Sequence, residues 1–396
     1  MFFTNGGLFA NLLPRFPQLK DALGMDNATY GLAVAAFPAG AILAGLASGL
    51  LIRRFGSARV AVGATLVTAL GVLAAGLAPA PLAFAACLLC AGAADSICDV
   101  GMNAHGLRVQ RRFGRSIINS FHAVWSIGAV TGGSMAAAAL ALDIPVGIHL
   151  AISGALFSAI ALVSLRFALP GTDTERHSVA LEPDAPEAAP DAASPPAVLS
   201  RGRLVLTVAC LVGIAVAGSF VEDAGNSWAA IYLAGPLGAP AAIAALGYIA
   251  LTGAQFAGRL VGDRLVDRFG QRAVARAGAA LAAVGMGLAL ALPSVPGTIA
   301  GFAAAGLGVA TLVPAAMSEA DALPGLRPGT GLTIVSWLMR LGFLASPPLV
   351  GLIADRADLR AGLLTVPAAG LAVVALAAVL APRARARRTP GQGAAD

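Results

Sequence analysis

GLLIRRFGSARV at Gly49–Val60 and DRLVDRFGQRAV at Asp263–Val274 are two versions of one turn, displaced by 214 residues (49 to 263). Each has an Arg-Phe-Gly core directly after a long apolar run. Glycine supplies the backbone freedom for a tight reversal, while the arginines stay in water. One such loop could arise by drift, but two in register predict a duplicated unit. At the same displacement Gly128 falls on Gly342, deep in another apolar run of each copy.

Working outward from these turns, the 396 residues are 58% hydrophobic and only 12% charged, with a mean hydropathy of +0.82. Globular soluble domains carry roughly a quarter charged residues, so aqueous enzymes, nucleic-acid binders and disordered scaffolds are poor readings. A bilayer core about 30 Å thick takes about 20 apolar residues of helix. Eleven runs of that kind are present: Tyr30–Ile52, Ala58–Ala78, Leu82–Leu107, Ile117–Leu142, Pro145–Leu169, Arg203–Leu233, Pro240–Gly262, Arg272–Leu292, Pro296–Met317, Gly329–Ala354 and Leu359–Leu380. A twelfth, Met1–Leu13, reaches only about 20 Å at 1.5 Å per residue before Pro14. Either helix continues past Pro14 towards Lys20, or the first helix is truncated at its amino terminus; truncation is the expectation. No cleavable signal peptide is expected, because this stretch lacks a basic start and a small-residue cleavage site.

The net charge of +6 is placed by topology. With the first segment running outward, the loops and tail on one side hold twenty-one of the 26 basic residues, including Arg53, Arg54, Arg59 and the series Arg259, Arg264, Arg268, Arg272 and Arg276. Only Arg15, Lys20, Arg356 and Arg360 fall opposite, and Arg340 lies within a span. The positive excess marks the cytoplasmic side, so both termini are predicted to be cytoplasmic. Residues 170–200 are proline-rich and acidic, with Asp173, Glu175, Glu182, Asp184, Glu187 and Asp191 against Arg176. Such a segment buries too little apolar surface to order itself. The expected division is a six-helix bundle at 1–169, a cytoplasmic linker at 170–200, a second six-helix bundle at 201–382 and a basic tail at 383–396.

The duplicated turn, the acidic middle linker and the six-plus-six count resemble the major facilitator superfamily over essentially the whole chain. Within it, DVGMNAHGLRVQRRFGR at Asp99–Arg115 running into SFHAVWSIG at Ser120–Gly128 resembles a bacterial branch related to sugar (fucose-type) permeases. The resemblance implies an all-α membrane protein whose two pseudo-symmetric bundles rock about a central site. Arg53, Arg54, Gly56, Asp267, Arg268 and Gly270 then become cytoplasmic gating loops. Arg53 stands where the family usually has aspartate, whereas Asp267 retains it. Drug–proton antiporters of the family show an arginine four residues before a glycine in the fourth span and a Gly-Pro pair in the fifth. Leu88 precedes Gly92 here, and Gly128–Gly133 contains no proline.

Ionisable groups at bilayer depth persist where they face a cavity or a partner. Asp95, Asp99 and Asn103 recur at i, i+4 and i+8, hence on one helical face. Desolvation and like-charge repulsion both favour a protonated carboxylate, and coupled acids titrate as a pair. Asp99, modulated by Asp95, is therefore expected to carry a coupling proton; a structural pair is the bland alternative. Glu222 and Asn226, also i and i+4, are expected to bind substrate. Trp228 is read either as a ligand-stacking ring or as an interfacial anchor, and Asp223 as a residue near the outer mouth. Arg340 needs a counter-charge: Glu222, Asp99 or an anionic substrate. Pairing within the protein would favour a neutral ligand, and an unpaired guanidinium a carboxylate or phosphate. His122 and Trp125 are candidates to line the cavity, with Asn5 and Asn11 possible contributors. Gly45–Gly49 and Gly128–Gly132 spacings allow close helix contact. Cys87, Cys90, Cys98 and Cys210 lie in apolar runs and read as packing residues.

These features predict a monomeric secondary transporter of the bacterial inner membrane that symports a proton with a small polar, possibly sugar-like, solute. They predict no metal, cofactor or nucleic-acid partner. No G-x-x-x-x-G-K-[ST] loop occurs, so energy comes from a gradient. Efflux of amphipathic compounds is the runner-up. A transport-derived sensor, or an intramembrane enzyme using Asp95, Asp99, His122 or His149, is the rival of a different class. Neither H-E-x-x-H nor G-x-S-x-G is present to support the enzyme.

Overall fold

The computed structural model describes residues 1–45, 47–114, 117–170, 200–326 and 329–380. The proposed linker and tail, together with Arg115 and Arg327, lie outside them. Among the described residues there is no strand, as expected for backbone that must satisfy its own hydrogen bonds in lipid. Eleven helices are long and apolar enough to cross a membrane, spans two to twelve in chain order: Asn27–Gly45, Ser57–Gly76, Pro81–Phe113, Ser120–Ala141, Val146–Leu165, Arg201–Ala234, Ala241–Phe269, Gln271–Ala291, Val295–Asp321, Thr330–Arg356 and Leu359–Val379. The first segment completes twelve. It is a broken rod, Phe2–Ala10, a 3-10 turn at Leu13–Arg15, and Phe16–Ala22, so helix does continue past Pro14. Proline at the start of the later pieces removes only amide donors that a helix start leaves unpaired anyway.

The duplicated turn has the same shape in both copies. Gly56 (φ 84°, ψ 146°) and Gly270 (φ 85°, ψ 153°) each end one helix and begin the next. That backbone conformation is open to glycine and strained for other residues. The preceding arginine folds over the phenylalanine in each, Arg54 Cζ 5.3 Å from the Phe55 ring centre and Arg268 Cζ 5.2 Å from that of Phe269. The repeat extends to helix crossings. A Cβ added at Gly128 would overlap the Phe3 carbonyl, and one added at Gly342 would overlap the Val216 carbonyl. The fifth span thus closes on the first as the eleventh closes on the seventh.

Gly132 likewise meets the Gly7 carbonyl, in line with the expected spacing. Gly45 and Gly49 do not: an added Cβ would first meet Ser96 Oγ at 3.4 Å and Arg53 of its own turn at 3.5 Å, which is ordinary contact. The second and fourth spans instead cross at Gly40, against the Leu89 carbonyl, and Gly92, against the Phe37 carbonyl. Gly92→Leu should therefore cost about 3 kcal/mol, since backbone cannot yield as a side-chain end can. A thermal-melting series would show it as a sharp loss of folded protein, with Gly63→Leu, which points into open space, as the control that melts normally.

The two halves are tied at the end opposite the Arg-Phe-Gly turns. There Gly31 meets the Pro347 carbonyl, Gly351 meets the Asn27 carbonyl, and Gly133 packs on Tyr248. Asp355 Oδ1 accepts from the Asn27 amide (3.0 Å) and from Asn27 Nδ2 (2.9 Å), and its Oδ2 accepts from the Ala28 amide (2.7 Å). Tyr30 donates its hydroxyl to the Ser227 carbonyl at 2.7 Å and lies edge-on to Trp228, ring centres 4.9 Å apart.

Candidate functional site

The fourth span is a single helix over Pro81–Phe113, so its polar residues share a face as the spacing requires. Asp95 Oδ1 accepts from Asn5 Nδ2 at 2.7 Å, and Asn5 Oδ1 accepts from Trp125 Nε1 at 2.8 Å. Buried Asn5 therefore joins the first, fourth and fifth spans. It occupies the indole donor of Trp125, a candidate cavity residue. One turn on, Asn103 Nδ2 donates to both the Asp99 carboxylate (3.0 Å) and the Asp99 carbonyl (2.9 Å). His122 is exposed, packs edge-on against Phe2 at 5.5 Å, and lies within electrostatic reach of Asp99.

From the other half, Glu222 Oε2 accepts from Gln255 Nε2 at 2.7 Å and faces Arg259 at 3.9 Å. Arg259, assigned above to a flanking loop, lies inside the helix Ala241–Phe269. Arg259 already fell inside the expected span Pro240–Gly262, and the helix carries Arg264 and Arg268 as well. Gln255 and Arg259 stand at i and i+4, a spacing that could have marked them as one polar face. Asn226 is partly buried on the same face as Glu222.

Arg340 begins the second part of a broken eleventh span, Thr330–Leu338 and then Arg340–Arg356, with Met339 between. Its guanidinium has no hydrogen bond or ion pair among the described residues, yet Asp99 lies within its electrostatic reach across the junction between the halves. Of the counter-charges expected for Arg340, Glu222 is engaged by Arg259 and Gln255, and Asp99 lies within electrostatic reach without an ion pair.

Several expectations need correction. Trp228 is fully buried and packs on Tyr30, so it is neither an interfacial anchor nor a ligand-stacking ring. Asp223 stands beside Ser227 and Ser346 between the seventh and eleventh spans, close to the end where Tyr30 meets Ser227. Asn11 is buried and holds His149 Nε2 at 2.9 Å while donating to the Gly7 carbonyl, which removes both from the cavity. In each case a partner from a distant helix decides the role, and spacing within one helix carries no trace of it.

The turn residues Arg53, Arg54, Asp267 and Arg268 are exposed, with Gly56 and Gly270 partly so, at the end opposite the Asp355 cap. The four cysteines are free, and among the described residues no group of His, Cys, Asp and Glu is arranged to hold a metal ion.

The profile of the Major Facilitator Superfamily matches residues 1–264 and 223–396. The membrane protein MosC of Rhizobium meliloti is 31% identical over 385 residues, covering 97% of this chain and 89% of that protein. An MFS-type transporter of Yersinia pestis is 28% identical over 382 residues, 94% of each. Among solved structures, the nucleoside transporter NupG superposes with a TM-score of 0.74 at 11% identity over 96% of both chains. A D-xylose-proton symporter does so with 0.67 at 16% over 95% of both. With its duplicated turns, its twelve helical segments and these whole-length matches, this multi-pass membrane chain is a transporter that belongs to the major facilitator superfamily.

Proposed function

We propose that the protein is a proton-coupled symporter of a small polar, sugar-like solute, working by alternating access. The observation that supports it best is Asp99 on the fourth span facing Arg340 on the eleventh without a direct bond. A solute in that gap would accept from the guanidinium and donate to the carboxylate, and so close the two halves on each other. Because the protein supplies both charges, the ligand need supply neither. Glu222, Asn226, Gln255 and Arg259 extend the polar surface on one side; Asp95, Asn103, His122 and Trp125 extend it on the other. The substrates of the transporters with similar folds, a nucleoside and D-xylose with a proton, are of this chemical kind.

In this reading residues 1–169 and 201–382 are the rocking bodies, joined by 170–200, and Arg53, Arg54, Gly56, Asp267, Arg268 and Gly270 form the turns at the moving rim. The arginine bias puts that rim and both termini in the cytoplasm of a bacterial inner membrane, with a monomer as the working unit. The test is a thermal-shift screen of purified protein against sugars, nucleosides, organic acids and amphipathic drugs at two pH values, followed by flux in proteoliposomes with the stabilising compound. A ligand that binds the folded state raises its melting temperature. Arg340→Gln should weaken a sugar-like ligand at least about tenfold, the scale of a lost charge-assisted hydrogen bond. Stabilisation by amphipathic drugs alone would overturn the symport reading.

A further inference from the structure

The seventh span carries Ser219, Asp223 and Ser227 at i, i+4 and i+8, a second polar face distinct from that of Glu222. This face looks at the eleventh span. Gly342 lies so close to Ser219 that an added Cβ would come within 2.9 Å of the Ser219 Cβ. One turn further along, Ser346 stands beside the Asp223 carboxylate. Ser219 and Ser346 are fully buried, and neither hydroxyl has a hydrogen bond of sound geometry. Ser227 Oγ reaches Asp223 Oδ2 at only 3.4 Å. Among the described residues the acid also has no basic partner. The charged group that acts on it is Glu222, of the same sign, while Arg259 is engaged with Glu222 and Arg340 faces Asp99.

A partly buried carboxylate with no basic side chain beside it, next to buried serine hydroxyls, is neutralised either by a proton or by a bound cation, because water brings no charge. Hard cations take oxygen ligands of this kind. One carboxylate neutralises a single charge, so a divalent ion would remain half uncompensated. We infer that Asp223, Ser219, Ser227 and Ser346 form a binding site for a monovalent alkali cation, for which sodium is the probe. Tyr30 from the other half bonds the Ser227 carbonyl and senses Asp223, so an ion here would stiffen the junction of the second, seventh and eleventh spans. This site does not involve Asp99, and it stands or falls apart from proton symport.

The experiment is thermal melting of the purified full chain, titrated with sodium chloride against choline chloride at fixed ionic strength. A saturable rise of several degrees specific to sodium is expected. Asp223→Asn should abolish the saturable rise, and Ser346→Ala should shift its midpoint to at least about tenfold higher sodium while leaving the protein folded in choline. Should Asp223→Asn fail to fold, the serine variant and Ser219→Ala carry the test. Coincident sodium and choline curves for the unaltered protein would overturn the site. So would a sodium-specific rise that survives in Asp223→Asn, or a stabilisation that follows pH between 6 and 8 in choline with no sodium dependence, which would assign Asp223 a proton instead.

Discussion

Replacing Asp99 with asparagine is expected to abolish accumulation of solute driven by a pH gradient, by at least about 100-fold in initial rate, equivalent to roughly 2.7 kcal/mol. Downhill exchange of the same solute should persist. The amide keeps the size and the acceptor that Asn103 uses, but it cannot bind and release a proton, so coupling is removed while the cavity keeps its shape. Asp99→Glu should retain part of the coupling. Asp95→Asn is expected to do less, because the new amide keeps an oxygen that can accept from Asn5 Nδ2, so Asn5 continues to bridge the first, fourth and fifth spans. The measurement is uptake into proteoliposomes with and without an imposed pH gradient, alongside counterflow. Undiminished gradient-driven accumulation by the asparagine variant would remove Asp99 from the proton path.

Asp355→Ala should open the end of the molecule opposite the Arg-Phe-Gly turns. The first amides of a helix have no partner within it, and a carboxylate there is further favoured by the helix dipole. Asp355 comes from the other half to satisfy the Asn27 and Ala28 amides. These bonds therefore exist only while that end is closed. Hydrogen bonds to a charged group contribute about 1.5–3 kcal/mol, so their loss should shift the closed-to-open ratio about 10- to 100-fold, a tenfold change being about 1.4 kcal/mol. The second span itself should stay folded, since Asp26 caps it locally through the Thr29 amide at 2.7 Å. The Thr29 hydroxyl, and then this amide, hold the Asp26 carboxyl below the usual carboxylate range. Val34 is buried about two turns inside this end. In a cysteine-free background, a cysteine replacing Val34 should react with an impermeant maleimide at least about ten times faster when Asp355 is alanine. Equal labelling rates would show that the cap does not hold the gate.

Both predictions use residues that apolar context made visible, but to different degrees. Asp99 and Arg340 stood out because a charge in a run of some twenty apolar residues needs a reason. Asp355 did not, since an acid near the end of a span is ordinary until its partner is known. The same distinction separates Gly128, whose close contact with the first span its repeat mate Gly342 echoes, from Gly45, whose spacing suggested a crossing that Gly40 and Gly92 make instead.

Helix length, span number, the duplicated turn and the side with most arginine depend on apolar run length and on residues close together in the chain, and these the sequence alone determined. The polar groups of the candidate site are not part of the repeat: at the displacement of 214 that links the two turns, Asp99 falls on Val313 and Arg340 on Ser126. What faces them was decided only when helices far apart in sequence packed together. Arg259 found Glu222, Asn5 joined Asp95 to Trp125, Trp228 closed on Tyr30, and Asp223 was left beside two serines without a cation. Helical periodicity specifies the direction of a side chain around its own axis, whereas the neighbour it meets depends on how twelve axes cross, which is a property of the assembled bundle.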